Sequence, residues 1–243
     1  MMARSRRHML SASAGAGLAL AGAGPAPAGT AGALLERAIA RAGGAAVLGA
    51  VRVMSWSGQA IVGMGTNRLA IGIETWVAPF TRGRTRSWLA ADPGQRRGID
   101  VGPQGGALLA GGRSQAMPPA MLAHEQAQFA LYGLMLLEPL RRATLSPGDA
   151  ARAPRNGFAL LARHPRAAPT TLFFDAQATL LGAEYEAPSP VPGGAPLVMR
   201  ARFADHRPSE GLLWPWRIIL AQNGEVVFDH ALGGFRLLPR WPD

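Results

Sequence analysis

The spacing of apolar residues changes period along this chain, and each change marks an element. Between residues 33 and 42, Leu34, Leu35, Ala38, Ile39 and Ala42 share one helical face while Glu36, Arg37 and Arg41 point away. The spacing predicts a short amphipathic helix, stopped by Gly43-Gly44. The period then drops to two. Leu69, Ile71, Ile73, Thr75 and Val77 alternate with Arg68, Ala70, Gly72, Glu74 and Trp76, the pattern of a half-buried strand. Residues 50–64 read as its antiparallel partner across a Gly65-Thr66-Asn67 turn. Residues 84–91, 97–101 and 107–110 continue the meander, separated by Asp92-Pro93-Gly94 and by Gly102-Pro103-Gln104-Gly105-Gly106.

The middle of the chain returns to a helical period. Between 119 and 142 the only glycine is Gly133 and the only internal proline is Pro139. Pro118-Pro119 suits a helix start, and Leu122, Phe129, Tyr132, Leu136 and Leu140 recur at helical spacing. Much of this helix's circumference is apolar, so it is expected to be buried or to lie over an apolar surface, with Pro139 kinking or ending it. Strands resume at 157–163, 170–175 and 178–186, with Ala176-Gln177 as a tight turn, and a proline-rich loop follows at 188–196. Three longer strands close the chain at 197–205, 211–222 and 225–238. Asn223-Gly224 between the last two is the strongest hairpin signal, because both residues tolerate the positive φ of a type I′ turn. The expected fold class is α+β, with one N-terminal helix, about ten antiparallel strands and one long apolar helix inserted midway.

The first 28 residues add an address. Arg6 and Arg7 stand before a mildly apolar stretch of Ala, Gly, Ser and Leu, and Ala26-Pro27-Ala28 supplies the small residues of a cleavage site. This is the pattern of a signal peptide of the twin-arginine kind, cleaved near Ala28, and it places the protein in the periplasm. The stretch is too weakly hydrophobic to serve as a membrane anchor, which needs about 20 strongly apolar residues. Residues 29–243 are left as a single domain.

Composition narrows the partners. The net charge is +10 and every basic residue is arginine. Arginine suits phosphate and carboxylate, so peripheral contact with anionic lipid headgroups is expected, through clusters such as Arg82, Arg84 and Arg86 or Arg96 and Arg97. The arginines are otherwise scattered, and nucleic acid is not an expected partner. There is no cysteine, which excludes disulfides, thiolate metal sites, a cysteine nucleophile and covalent lipid attachment at a lipobox.

A family likeness lies in the C-terminal third. Phe203-Ala204-Asp205-His206-Arg207, then Gly211-Leu212-Leu213-Trp214-Pro215-Trp216-Arg217-Ile218, then Asn223-Gly224-Glu225 form a closing pattern. A strand ends in an aspartate-containing dipeptide, a Gly-hydrophobic-x-x-Pro strand start follows, and a hairpin leads to the last long strand. The pattern, with the order of helices and strands before it, resembles the exported outer-membrane lipoprotein carriers of the LolA-like type. The resemblance implies a strongly curved, open antiparallel half-barrel with helices covering its concave face.

An apolar concave face cannot be left wet, and imperfect contact with the covering helix would leave a cavity for an acyl chain. Candidate lining residues are Trp56, Trp76, Trp88, Phe129, Leu136, Trp214 and Phe228, all of a kind that also builds ordinary cores. Trp76 lies opposite the Leu/Ile side of its strand, so it faces either a second layer or solvent.

No catalytic constellation emerges. His124-Glu125 lacks the second histidine of a zinc-protease helix, since position 128 is Gln128. Asp205-His206 and Asp229-His230 place neighbours on opposite faces of a strand, so at most one member of each reaches a shared site. Ser55 and Ser57 lack the glycines of a nucleophile elbow, and no glycine cluster matches a nucleotide loop. Asp92 and Asp100 are expected to be solvated. The expectation is a non-enzymatic periplasmic carrier or chaperone for lipid or lipoprotein, without cofactor or metal. The alternative is an envelope interaction or sensing module that binds a partner protein on the same scaffold.

Overall fold

The computed structural model describes residues 29–242, so the leader with Arg6, Arg7 and the cleavage site near Ala28 lies outside the described residues. Two helices open the described residues: α1 (Ala31–Ala42) and α2 (Ala45–Ala50). The Thr30 hydroxyl caps α1 by accepting from the Ala33 N–H, and Gly43 at φ +130° ends it, a conformation closed to ordinary side chains. Leu34, Leu35, Ala38 and Ile39 are buried, the face predicted from spacing. The short α2 was not foreseen. It stands where the sequence suggested the approach to a strand.

Thirteen antiparallel strands form one sheet among the described residues, rather than about ten. They are β1 (Val53–Met64), β2 (Asn67–Ala78), β3 (Arg82–Leu89), β4 (Asp92–Val101), β5 (Gly106–Ala110), β6 (Arg113–Ala116), β7 (Thr144–Pro147), β8 (Phe158–Arg163), β9 (Thr170–Phe174), β10 (Leu180–Ala187), β11 (Leu197–Ser209), β12 (Leu212–Gln222) and β13 (Glu225–Leu238). Neighbours run β6 to β1 and then β13 to β7, so the first and last strands pair in the middle of the sheet. The unforeseen β6 and β7 are the two edges, each of four residues, too short to show a period. Such short edges, with Pro147 in β7, also resist pairing with other chains. The sequence placed a turn at Asp92-Pro93-Gly94, but these residues lie in β4 and the chain reverses at Ala90 and Ala91. Pro93 sits beside a shift of register after Ser87, where an interrupted ladder needs no N–H from it. Asn223 at φ +48° and Gly224 at φ +89° make the expected hairpin.

The edges β6 and β7 are consecutive strands, and the chain joins them through α3 (Pro119–Leu134). This helix packs against β2, β3 and β4 of one wing and β10 of the other. Gln126 donates to the Gly102 carbonyl at 2.7 Å on one side, and His124 bonds the Pro188 carbonyl at 2.9 Å on the other. It therefore bridges the trough formed by the two wings. The helix ends at Leu134, before Pro139. Leu137, at φ +60°, turns the chain into a 3-10 segment, Glu138–Arg142, that inserts Leu140 into the core.

Candidate functional site

Directly opposed residues on adjacent strands share a face, so register decides which side chains look into the trough. On β1 and β2 the inner face carries Met54, Trp56, Ala60 and Val62 opposite Val77, Thr75, Ile71 and Leu69. On β13 it carries Phe235, Leu232, His230 and Phe228.

One end of this trough is largely filled. The second half of α3, from Phe129 on, is wholly buried, and burial continues through Leu137. The Trp56 ring meets Tyr132 edge-on at 4.9 Å and lies 6.1 Å from Trp214, which stacks on Phe235 at 4.8 Å. Such pairs each add about 0.5–1.5 kcal/mol beyond their burial. Phe129 lies flat over Gly83, where a Cβ would come within 2.3 Å of the ring. At the same end the turn after β2 reaches the opposite wing. Phe80, held at φ +57°, stacks on His164 at 4.5 Å, and Arg166 donates to the Phe80 carbonyl at 2.6 Å. A hollow of about 230 Å³ remains beside this clasp, lined by Phe80, Arg82, Gln126, Phe129 and Arg166 among others. Of the residues proposed to line a cavity, Trp56, Phe129, Leu136 and Trp214 belong to this packed end.

The other end opens. Along β2 the inner face passes from Val77, Thr75 and Ile73, all buried, through Ile71, half-buried, to Leu69, 57% exposed. Val62 opposite Leu69, and Phe228 opposite Val62, are half-buried, and Leu89 opposite Ile71 is 44% exposed. Every residue from Met121 to Gln128 in the first half of α3 is also only half-buried. The helix covers the trough completely at one end and incompletely at the other. Phe228 alone among the seven proposed residues stands at the open end.

Between the two ends lie polar groups. Burial raises the Glu125 carboxyl above the usual carboxylate range, and the nearby His124 only partly opposes it. Burial also pushes the Tyr132 hydroxyl up to about 12, with Gln128 pulling the other way and the Glu125 charge adding to the rise. The Tyr185 hydroxyl is raised further, by burial first and then by Tyr132 and Glu125, so these three groups are neighbours. The buried Tyr185 hydroxyl, Trp214 Nε1 and His230 Nε2 have no hydrogen-bond partner among the described residues. Burial lowers the His230 imidazole to about 4 against the opposing pull of Asp229, so it is neutral at pH 7.

The convex face holds the remaining candidates. Trp88 lies across Gly72, where a Cβ would come within 2.3 Å of the indole, and Gly72 points away from its buried neighbour Ile73. Trp76, two strand positions beyond Glu74, shares that outer side. Neither tryptophan reaches the trough. Strand parity puts them outside despite their size. Around them, Arg84 and Arg86 both pair with Asp100 at 3.0 Å, and Arg96 pairs with Glu74 at 3.5 Å while lying over Trp88. Burial would raise the Asp100 carboxyl, but the hydrogen bonds and charges of Arg86 and Arg84 hold it below its usual value. Asp100 is thus ion-paired, and Asp92 accepts from Gln95 at 2.8 Å. Asp229 pairs with Arg217 on the outer side while His230 is buried inside, and His206 bonds the Leu180 carbonyl, so the two Asp-His pairs do not converge. Among the described residues no group of three potential metal ligands occurs, and no helix is long and apolar enough to cross a membrane.

No protein-family model and no curated protein matches the chain. Solved structures do. A LolA superfamily protein from Nitrosomonas europaea aligns with a TM-score of 0.55 at 14% identity, over 88% of this chain and 96% of that one. A domain from Vibrio parahaemolyticus described as an outer membrane lipoprotein-sorting protein aligns at 0.51 and 11% identity, over 84% and 91%. A DUF1329 family protein from Desulfovibrio piger aligns at 0.54 and 8% identity, over 86% and 93%. An open antiparallel sheet whose trough is bridged by a helix between its two edges is the fold this chain shares with LolA superfamily proteins.

Proposed function

We propose that this protein is an exported periplasmic carrier or chaperone that holds a lipid, or the acyl chain of a lipoprotein, in the open end of its trough. In this reading residues 1–28 are the cleaved leader, the rest is one domain, and the protein performs no catalysis. The observation that carries the proposal is the graded exposure of one continuous apolar wall, from Val77 to Leu69 on β2, under a helix that covers only part of it. Apolar surface left open inside a concavity is suited to an apolar ligand. The lipoprotein-sorting description of the Vibrio domain with the same fold points the same way.

The binding residues in this proposal are Val62, Leu69, Ile71, Leu89 and Phe228, since Trp56, Phe129, Leu136 and Trp214 are committed to the core. The test is titration with a fluorescent fatty acid. Leu69→Glu with Ile71→Glu is expected to abolish uptake, whereas Ile61→Glu, on the outer side of β1, leaves it unchanged. Undiminished uptake by the double variant would refute the assignment. The solid packing of the other end favours a second reading, a sensing or interaction module for an envelope protein. That reading calls for a captured protein partner and no uptake by the wild type.

A further inference from the structure

We infer that Arg97 and Arg113 form a headgroup site beside the open end of the trough, selecting lipids whose headgroup carries a net negative charge. The inference rests on the carrier reading and adds a ligand class to it. Register places both arginines inside. Ile73 of the buried inner face opposes Ser87, Ser87 opposes Arg97, Arg97 opposes Ala110, and Ala110 opposes Arg113. Their neighbours agree. A Cβ on Gly98 would meet Arg86 on the convex side, and Ile99, two positions beyond Arg97, packs into the core.

The two arginines differ from the convex-face arginines of β3 and β4. On the convex face Arg84 and Arg86 are answered by Asp100, Arg96 by Glu74 and Trp88, and Arg82 by the Trp241 ring at 4.6 Å. Arg97 and Arg113 are exposed, and among the described residues neither has an ion pair, a hydrogen bond from its side chain or an aromatic ring beneath it. Only the small Ala110 lies between them, so two guanidinium forks can converge on one group. A phosphodiester offers tetrahedral oxygens to two such forks at once, a geometry arginine recognises well. On the same face, Leu89 on β3 and Ile71 on β2, one and two strands from Arg97, begin the apolar wall. The arrangement is a cationic rim beside an exposed apolar wall, which matches a lipid with an anionic head and an acyl tail.

The test compares monomeric fluorescent analogues of phosphatidylglycerol and phosphatidylcholine with identical chains, bound to wild type and to the double variant Arg97→Gln/Arg113→Gln. Wild type is expected to prefer phosphatidylglycerol by about tenfold, because phosphatidylcholine adds to the same phosphodiester a choline cation that the two guanidinium charges repel. That preference should shrink as salt is added. The variant, unchanged in thermal unfolding, should bind both lipids at the phosphatidylcholine level. Equal affinities in wild type, or a preference that survives in the variant, would overturn the headgroup site while leaving the carrier intact. Absence of binding to either lipid by wild type would overturn both.

Discussion

The two halves of α3 differ in both composition and burial: the first carries His124, Glu125, Gln126 and Gln128, and the second, Phe129–Leu134, is apolar but for the Tyr132 hydroxyl. From Met121 to Gln128 every residue is half-buried, whereas from Phe129 to Leu134 every residue is buried. The sheet beneath follows the same division: Trp56, Trp214 and Phe235 interlock under the second half, while Leu69, Leu89 and Phe228 stand open beyond the first. In the carrier proposal, stability and ligand capture fall to separate ends of one trough. Most of the aromatic side chains anchor the helix here, and the open wall is aliphatic apart from Phe228.

Substitutions at each end test this division. The largest effect is expected at the packed end. Trp56→Ala should cost about 3–5 kcal/mol in urea unfolding, because its neighbours Tyr132 and Trp214 cannot collapse into the space. Acid should act through His230. Its imidazole titrates at about 4 in the fold and 6.5 in the unfolded chain, so the unfolded chain binds more protons between these values. Stability present above pH 6.5 is then lost as pH falls towards 4, on the order of 3 kcal/mol. His230→Leu should flatten that part of the profile, measured by unfolding at pH 7 and pH 4.5. Gly83→Ala drives a methyl into the Phe129 ring and should cost about 1–3 kcal/mol. At the open end, Leu69→Glu should change stability by no more than about 0.5 kcal/mol, since the residue is already largely in water. A large loss there would mean that the wall is structural after all.

Much of the scaffold was legible from spacing. The buried face of α1, the inner face of β2 and the final hairpin follow from short-range patterns. What periodicity records is the side a residue faces, not whether anything covers that side. Leu69 and Val77 are equivalent in the alternation, yet one is 57% exposed and the other fully buried, because α3 reaches only one of them. That distinction is tertiary. Trp76 and Trp88 were attractive for their size, while strand parity sends both outward. Arg97 was visible as half of a basic pair with Arg96, but its inward position depends on register carried across two strand pairings. The edges β6 and β7 were lost to their brevity, and with them the reason that α3 must cross the trough.

The most direct test of the division is native mass spectrometry of the protein purified from its own envelope fraction, wild type beside Leu69→Glu, with lipid extraction of each. The expected result is one lipid or acylated peptide bound to wild type and none to the variant, both folded. An unliganded mass for both proteins, or a ligand retained equally by the variant, would contradict the assignment of ligand capture to the open end.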